Sequence, residues 1–81
     1  MDENMIKDAV LNAVKDTYKI SLDGIDLNTT YEKLGNHSSK LIKVAMYISE
    51  NLDLEEDVEF TDLADHETLG ETVEMLTKKL L

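Results

Sequence analysis

One junction in the chain brings together residues that could do chemistry. Ser38 follows a turn containing Gly35 and opens an amphipathic stretch, so its hydroxyl falls at the start of a helix. At such a point the first backbone N–H groups have no partner within the helix and the helix dipole is positive. A phosphate attached there would be well placed. The same hydroxyl also suits a helix cap, worth about 1 kcal/mol, and the residue types alone leave both roles open.

Other reactive side chains make weaker patterns. His37 and His66 carry imidazoles, a group able to ligate metal or exchange protons, but about thirty residues separate them and there is no cysteine, so they define no metal-ligand spacing. Cap or surface roles suit them better. A triad of Ser38, His37 and an acid is disfavoured because neighbours at a helix start rarely face each other and no oxyanion-hole motif accompanies them. Asp53, Glu55, Glu56, Asp57 and Glu59 form an acidic run, yet a calcium loop starting at Asp53 would need glycine where Val58 stands. This run reads as a solvated face, and no metal site is expected.

Composition narrows the classes further. With 81 residues the chain is expected to form one domain over 1–81, and its 42% hydrophobic residues suffice for one core. One Phe, three Tyr and no Trp make that core aliphatic. Met1, Met5, Met46 and Met75 are read as core filling or helix-face contacts. Eighteen acidic residues against eight lysines give a net charge of −10, which repels nucleic acid and anionic lipid and favours basic protein partners. The absence of arginine removes the bidentate fork suited to phosphate or carboxylate ligands. No signal peptide, membrane span or disulfide framework is evident, so a soluble cytoplasmic monomer is expected.

The elements that must position Ser38 are helical. No proline and three glycines argue against a β meander. Ile6, Ala9, Val10, Ala13, Val14 and Tyr18 recur at helical spacing and predict a first helix, with Asp2 or Glu3 at its start and Lys15 and Lys19 near its end. From Ile20 to Gly35 the period lapses into a long loop anchored by Ile20, Leu22, Ile25, Leu27, Tyr31 and Leu34. Thr29 or Thr30 can cap a short turn over Tyr31 to Leu34, with Gly35 as its left-handed terminator. Leu41, Ile42, Val44, Ala45, Ile48 and Leu52 predict a broad apolar face on a second helix that begins at the serine pair. Leu54, Val58 and Phe60 are expected to anchor the acidic linker, and Thr61 to Asp65 to form one short turn. Thr68 and Glu71 have capping-box spacing ahead of a last stripe of Leu69, Val73, Leu76 and Leu80.

The string Thr29, Thr30, Tyr31, Glu32, Lys33, Leu34, Gly35, Asn36, His37, Ser38 resembles the approach to the modification site of acyl carrier proteins. The likeness extends over most of the chain: first helix, anchored loop, serine-led second helix, acidic linker, short helix and final helix. It implies an all-α four-helix bundle with three main helices, one short helix and a long first loop. It also implies a covalent 4'-phosphopantetheine on the motif serine, whose thiol carries thioester-linked intermediates. In the family, apolar residues fall four, six, seven, ten and fourteen places after that serine. Counted from Ser38 these are Ile42, Val44, Ala45, Ile48 and Leu52; counted from Ser39 they begin at Lys43 and end at Asp53. The likeness therefore assigns the arm to Ser38.

Departures concern partners. His37 stands where the family usually has Asp, and Ser39 where it usually has an apolar contact residue. Lys40 and Lys43 place positive charge where many members are acidic. His37, Ser39, Lys40 and Lys43 are thus the partner-facing candidates. Expected partners are a phosphopantetheinyl transferase and acyl-loading and acyl-consuming enzymes; the chain itself is not expected to be an enzyme. The resemblance makes Val44, Ala45, Ile48, Val73 and Leu76 candidate walls for an acyl chain. It implies work in fatty-acid, polyketide or related specialised biosynthesis. A peptidyl or D-alanyl carrier with the same Ser38 chemistry, and an acidic helical adaptor without an arm, are the alternatives.

Overall fold

Helix α1 spans Glu3–Tyr18 in the computed structural model, which describes residues 1–35 and 37–81. Asp2 starts it: the Asp2 carboxylate accepts the Met5 N–H at 2.9 Å, satisfying one of the donors that a helix start leaves unpaired. Lys19 ends it in the left-handed region at φ 57°. Ile6, Ala9, Val10, Ala13, Val14 and Thr17 form the buried stripe, while Tyr18 is only half-buried.

The long loop is ordered by its backbone as well as by its apolar anchors. A short 3-10 turn over Leu22–Gly24, which the sequence pattern did not predict, leaves Leu22 44% exposed because none of that turn's residues is buried. Ile25 and Tyr31 are buried, and Ile20, Leu27 and Leu34 are half-buried. The later part of the loop lies against the start of the last helix. Tyr31 N–H donates to the Glu67 carbonyl at 3.0 Å, Leu69 N–H to Thr29 at 3.0 Å, and Gly70 N–H to Leu27 at 2.8 Å. Thr30 and Thr68 form an isolated antiparallel bridge there, and no strand occurs among the described residues.

Helix α2 (Ser38–Asn51) buries Leu41, Val44, Ala45, Ile48 and Ser49, and packs against α1 on one side and the short α3 (Phe60–Ala64) on the other. Its apolar arc is narrower than the sequence pattern suggested. Ile42 lies one turn beyond Ser38 on the outer face and is 52% exposed. Phe60, expected as an inward anchor, opens α3 at the surface, whereas Val58 before it is buried and Leu54 half-buried. Met1, Met5 and Met46 are also exposed, and only Met75 packs partly against the core.

Helix α4 (Leu69–Leu80) begins at the expected capping box: Glu71 N–H donates to Thr68 Oγ1 at 3.1 Å and Thr68 N–H to Glu71 Oε2 at 3.2 Å. Leu69, Thr72, Val73 and Leu76 are buried, so α4 closes the bundle against α1. The result is the all-α bundle with three main helices and one short one. Among the described residues no helix is long and apolar enough to cross a membrane.

Candidate functional site

The approach to Ser38 is a closed turn. Thr30 Oγ1 accepts the Lys33 N–H at 3.1 Å, Leu34 N–H donates to the carbonyl of Tyr31 at 3.1 Å, and Gly35 N–H donates to that of Glu32 at 3.1 Å. Gly35 has φ +106°, and a Cβ there would stand 3.2 Å from His37 Cδ2. The backbone therefore calls for glycine, while the exposed His37 ring is free to give way. Tyr31 fixes this turn to the bundle: its ring is buried and its hydroxyl shares a hydrogen bond with Thr72 Oγ1 on α4. Burial pushes the Tyr31 phenol up to about 12, with the Thr72 bond acting the other way.

Helix α2 starts one residue earlier than a Ser38 cap would require. His37 takes the cap position with extended backbone, its carbonyl accepting the N–H groups of Lys40 and Leu41 at 3.0 Å each. Its side chain makes no capping bond, and the first turn holds no acidic residue. Ser38 is an exposed residue and the first of the helix, so of the cap and first-turn positions open to it the structure gives the first turn, and His37 takes the cap. Ser39 is exposed beside it. A phosphate ester on a first-turn hydroxyl would meet solvent and the positive end of a 14-residue helix, and would bury no charge. The residues present therefore fit such a group.

The other candidates separate. His37, Ser39 and Lys43 are exposed, whereas Lys40 is half-buried, its Nζ 6.0 Å from the centroid of the Tyr18 ring on α1. The Tyr18 hydroxyl is itself buried without a hydrogen-bond partner among the described residues, and burial raises its pKa. His66 lies just past α3, its Nδ1 2.7 Å from the Asp62 carbonyl. Among the described residues no three His, Cys, Asp or Glu side chains are grouped to hold a metal ion. Val44, Ala45, Ile48, Val73 and Leu76 all lie in the core, at most 4% exposed.

One surface feature escaped the sequence reading. Starting at Ile42, one turn along α2 from Ser38, an open groove of about 410 Å³ runs between α2 and the α3 region, lined by Ile42, Ala45, Met46, Asp57, Val58, Glu59 and Phe60. Counting α2 at about 100° per residue puts Ile42 and Met46 on the Ser38 side of the helix, which is the signal that would have found them.

A family model described as the phosphopantetheine attachment site matches residues 8–76, a span that runs from within α1 to within α4 and includes the turn, both serines and the groove. No curated protein and no solved structure gives a significant match. The family match covers most of the chain and agrees with the fold, with the glycine-closed turn and with exposed serines at the start of α2. The chain therefore belongs to the phosphopantetheine-attachment family of carrier proteins, whose prosthetic group is covalently bound 4'-phosphopantetheine.

Proposed function

We propose that Ser38 is the attachment residue, and that residues 1–81 act as one carrier domain for thioester-linked acyl intermediates of fatty-acid, polyketide or related biosynthesis. The observation that carries this reading is the exposure of Ser38 as the first residue of α2. The family spacing favours it over Ser39. Counted from Ser38, the apolar positions Val44, Ala45, Ile48 and Leu52 are 0, 3, 0 and 8% exposed, with Ile42 alone outside. Counted from Ser39, the set includes Lys43, Met46 and Asp53, all exposed.

The bound arm supplies a thiol that holds the acyl group as a thioester. The chain's own residues present and orient it. The Tyr31–Thr72 bond ties the turn that precedes α2 to α4, and the first-turn N–H groups of α2 would stabilise a phosphodiester on Ser38 Oγ. Catalysis resides in the partners: a phosphopantetheinyl transferase installs the arm, and loading and consuming enzymes exchange the acyl group.

Intact-protein mass tests this after incubation with coenzyme A, Mg²⁺ and a broad-specificity phosphopantetheinyl transferase. One phosphopantetheinyl increment is expected, lost in Ser38→Ala and retained in Ser39→Ala. An increment that persists in Ser38→Ala moves the site. No increment, with protein from the native host also unmodified, favours an armless adaptor.

A further inference from the structure

Lys40 carries its charge at the wrong end of its own helix. It is the third residue of α2, in the turn where unpaired backbone N–H groups and the helix dipole disfavour a cation. That turn holds no acidic residue, and the ion pairs among the described residues, Lys15–Asp16 and Lys78–Glu74, leave Lys40 out. Lys40 is nevertheless half-buried, while Lys43 further along the helix is exposed.

The ammonium is met by α1. Lys40 Nζ stands over the ring of Tyr18, the last residue of α1, 6.0 Å from its centroid, a range at which an aromatic face attracts a cation. The Tyr18 hydroxyl is buried although the residue as a whole is half-buried, so the ring points its tip inward. A ring anchored by its tip offers the lysine a fixed platform.

Two residues apart on a helix, Ser38 and Lys40 lie about 160° round α2 from each other. Lys40 therefore points away from whatever meets Ser38 Oγ. It belongs to the same turn all the same: the N–H groups of Lys40 and Leu41 both donate to the His37 carbonyl at 3.0 Å. What ties Lys40 to α1 ties down the turn that carries Ser38 on its opposite side.

We propose that Lys40 and Tyr18 are positioning residues for arm attachment, their cation–ring contact fixing the first turn of α2 to the end of α1 so that Ser38 is held facing outward. This rests on Ser38 being the attachment residue, and it makes Lys40 an internal residue rather than a partner-facing one. The reaction served forms the Ser38 Oγ–P bond, breaks the pyrophosphate P–O bond of coenzyme A, and releases adenosine 3',5'-bisphosphate and the serine proton.

A double-mutant cycle of Lys40→Gln and Tyr18→Leu tests the proposal. Its readouts are kcat/KM for transfer from coenzyme A by a broad-specificity phosphopantetheinyl transferase, and hydrogen-exchange protection of the Leu41 amide. Relative to its effect in the Tyr18→Leu background, Lys40→Gln in the parent is expected to lower both about two- to fivefold, the size of one exposed cation–ring contact. Lys40→Arg and Tyr18→Phe keep a cation and a ring, and should behave as the parent does. An equal effect of Lys40→Gln in both backgrounds overturns the proposal, since the lysine would then act without the ring. Coupling in protection without coupling in transfer also overturns it, because the contact would then be structural alone. If Tyr18→Leu does not fold, Lys40→Gln against Lys40→Arg carries the test, and equal transfer by the two overturns the proposal. Failure of the parent protein to take the arm at Ser38 overturns both this proposal and the attachment site.

Discussion

Gly70 and Leu27 meet backbone to backbone: the Gly70 N–H donates to the Leu27 carbonyl at 2.8 Å, and a Cβ on Gly70 would stand 2.8 Å from that same oxygen. A carbonyl held by the hydrogen bond cannot swing aside as a flexible side chain would. Gly70→Ala should therefore push the first turn of α4 off the loop. Alanine's better helix propensity returns about 1 kcal/mol, against an overpacking cost of about 1–3 kcal/mol. We expect a net loss of about 1 kcal/mol and a melting temperature lower by about 4–8 °C, read by circular dichroism. A melting temperature at or above the parent's would mean that the loop yields freely.

Ser49 joins α2 to the acidic linker. Its buried hydroxyl donates to the Ala45 carbonyl at 2.9 Å and accepts the Val58 N–H at 2.9 Å. Ser49→Ala would leave the Val58 N–H without its acceptor beneath the groove, at a cost of about 1–3 kcal/mol. Urea denaturation should show that loss, and hydrogen exchange should show the Val58 amide losing protection. Unchanged protection at Val58 would mean that solvent already replaces the serine.

The same two residues mark the limit of what the sequence could say. Helical periodicity located α1, α2 and α4 because burial of one face leaves a repeat in the apolar residues, and the Thr68–Glu71 capping box marked the start of α4. Ser49 carries no such mark, since a buried polar residue is justified only by a distant partner, here Val58. The bonds from Leu69 and Gly70 back to the loop are likewise made between backbones far apart in sequence, where side-chain pattern is silent. Ile42 and Phe60 looked like core because hydrophobicity records residue type and not the direction a side chain faces; both are exposed along the groove. Ser38 was legible as a helix start. Its status as first helical residue rather than cap depends on the backbone of His37, which residue types do not encode.

Tyr31 gives the bundle an alkaline limit. Its phenol is held neutral by burial up to about 12, against an ordinary value of 10.0 in the unfolded chain. Below the unfolded value both states keep the proton, and this group adds no pH dependence. As pH rises from 10 towards 12 the unfolded chain loses its proton first, so stability falls, by about 2–3 kcal/mol in all. Tyr31→Phe should be less stable at pH 7 by about 1 kcal/mol, because the Thr72 hydroxyl loses its partner. Its loss of stability above pH 10 should be shallower than the parent's. Parallel curves for the two proteins across that range would exclude Tyr31 as the source.

His37 leaves the cap of α2 unused: its side chain makes no capping bond and no acid stands in the first turn. His37→Asp would supply a carboxylate able to accept a first-turn N–H and to face the positive end of the helix dipole, worth about 1 kcal/mol. Thermal melts at neutral pH should show that gain, and it should vanish in buffer acidic enough to protonate the new carboxylate. Arm transfer by a broad-specificity transferase should be preserved or faster in the variant, since Ser38 keeps its place and only its neighbour changes charge. A variant that melts higher but is modified much more slowly would mean that the imidazole itself contacts the transferase. A variant that melts no higher would mean that the first-turn N–H groups of α2 already have acceptors, and the case for a phosphodiester stabilised there would weaken with it.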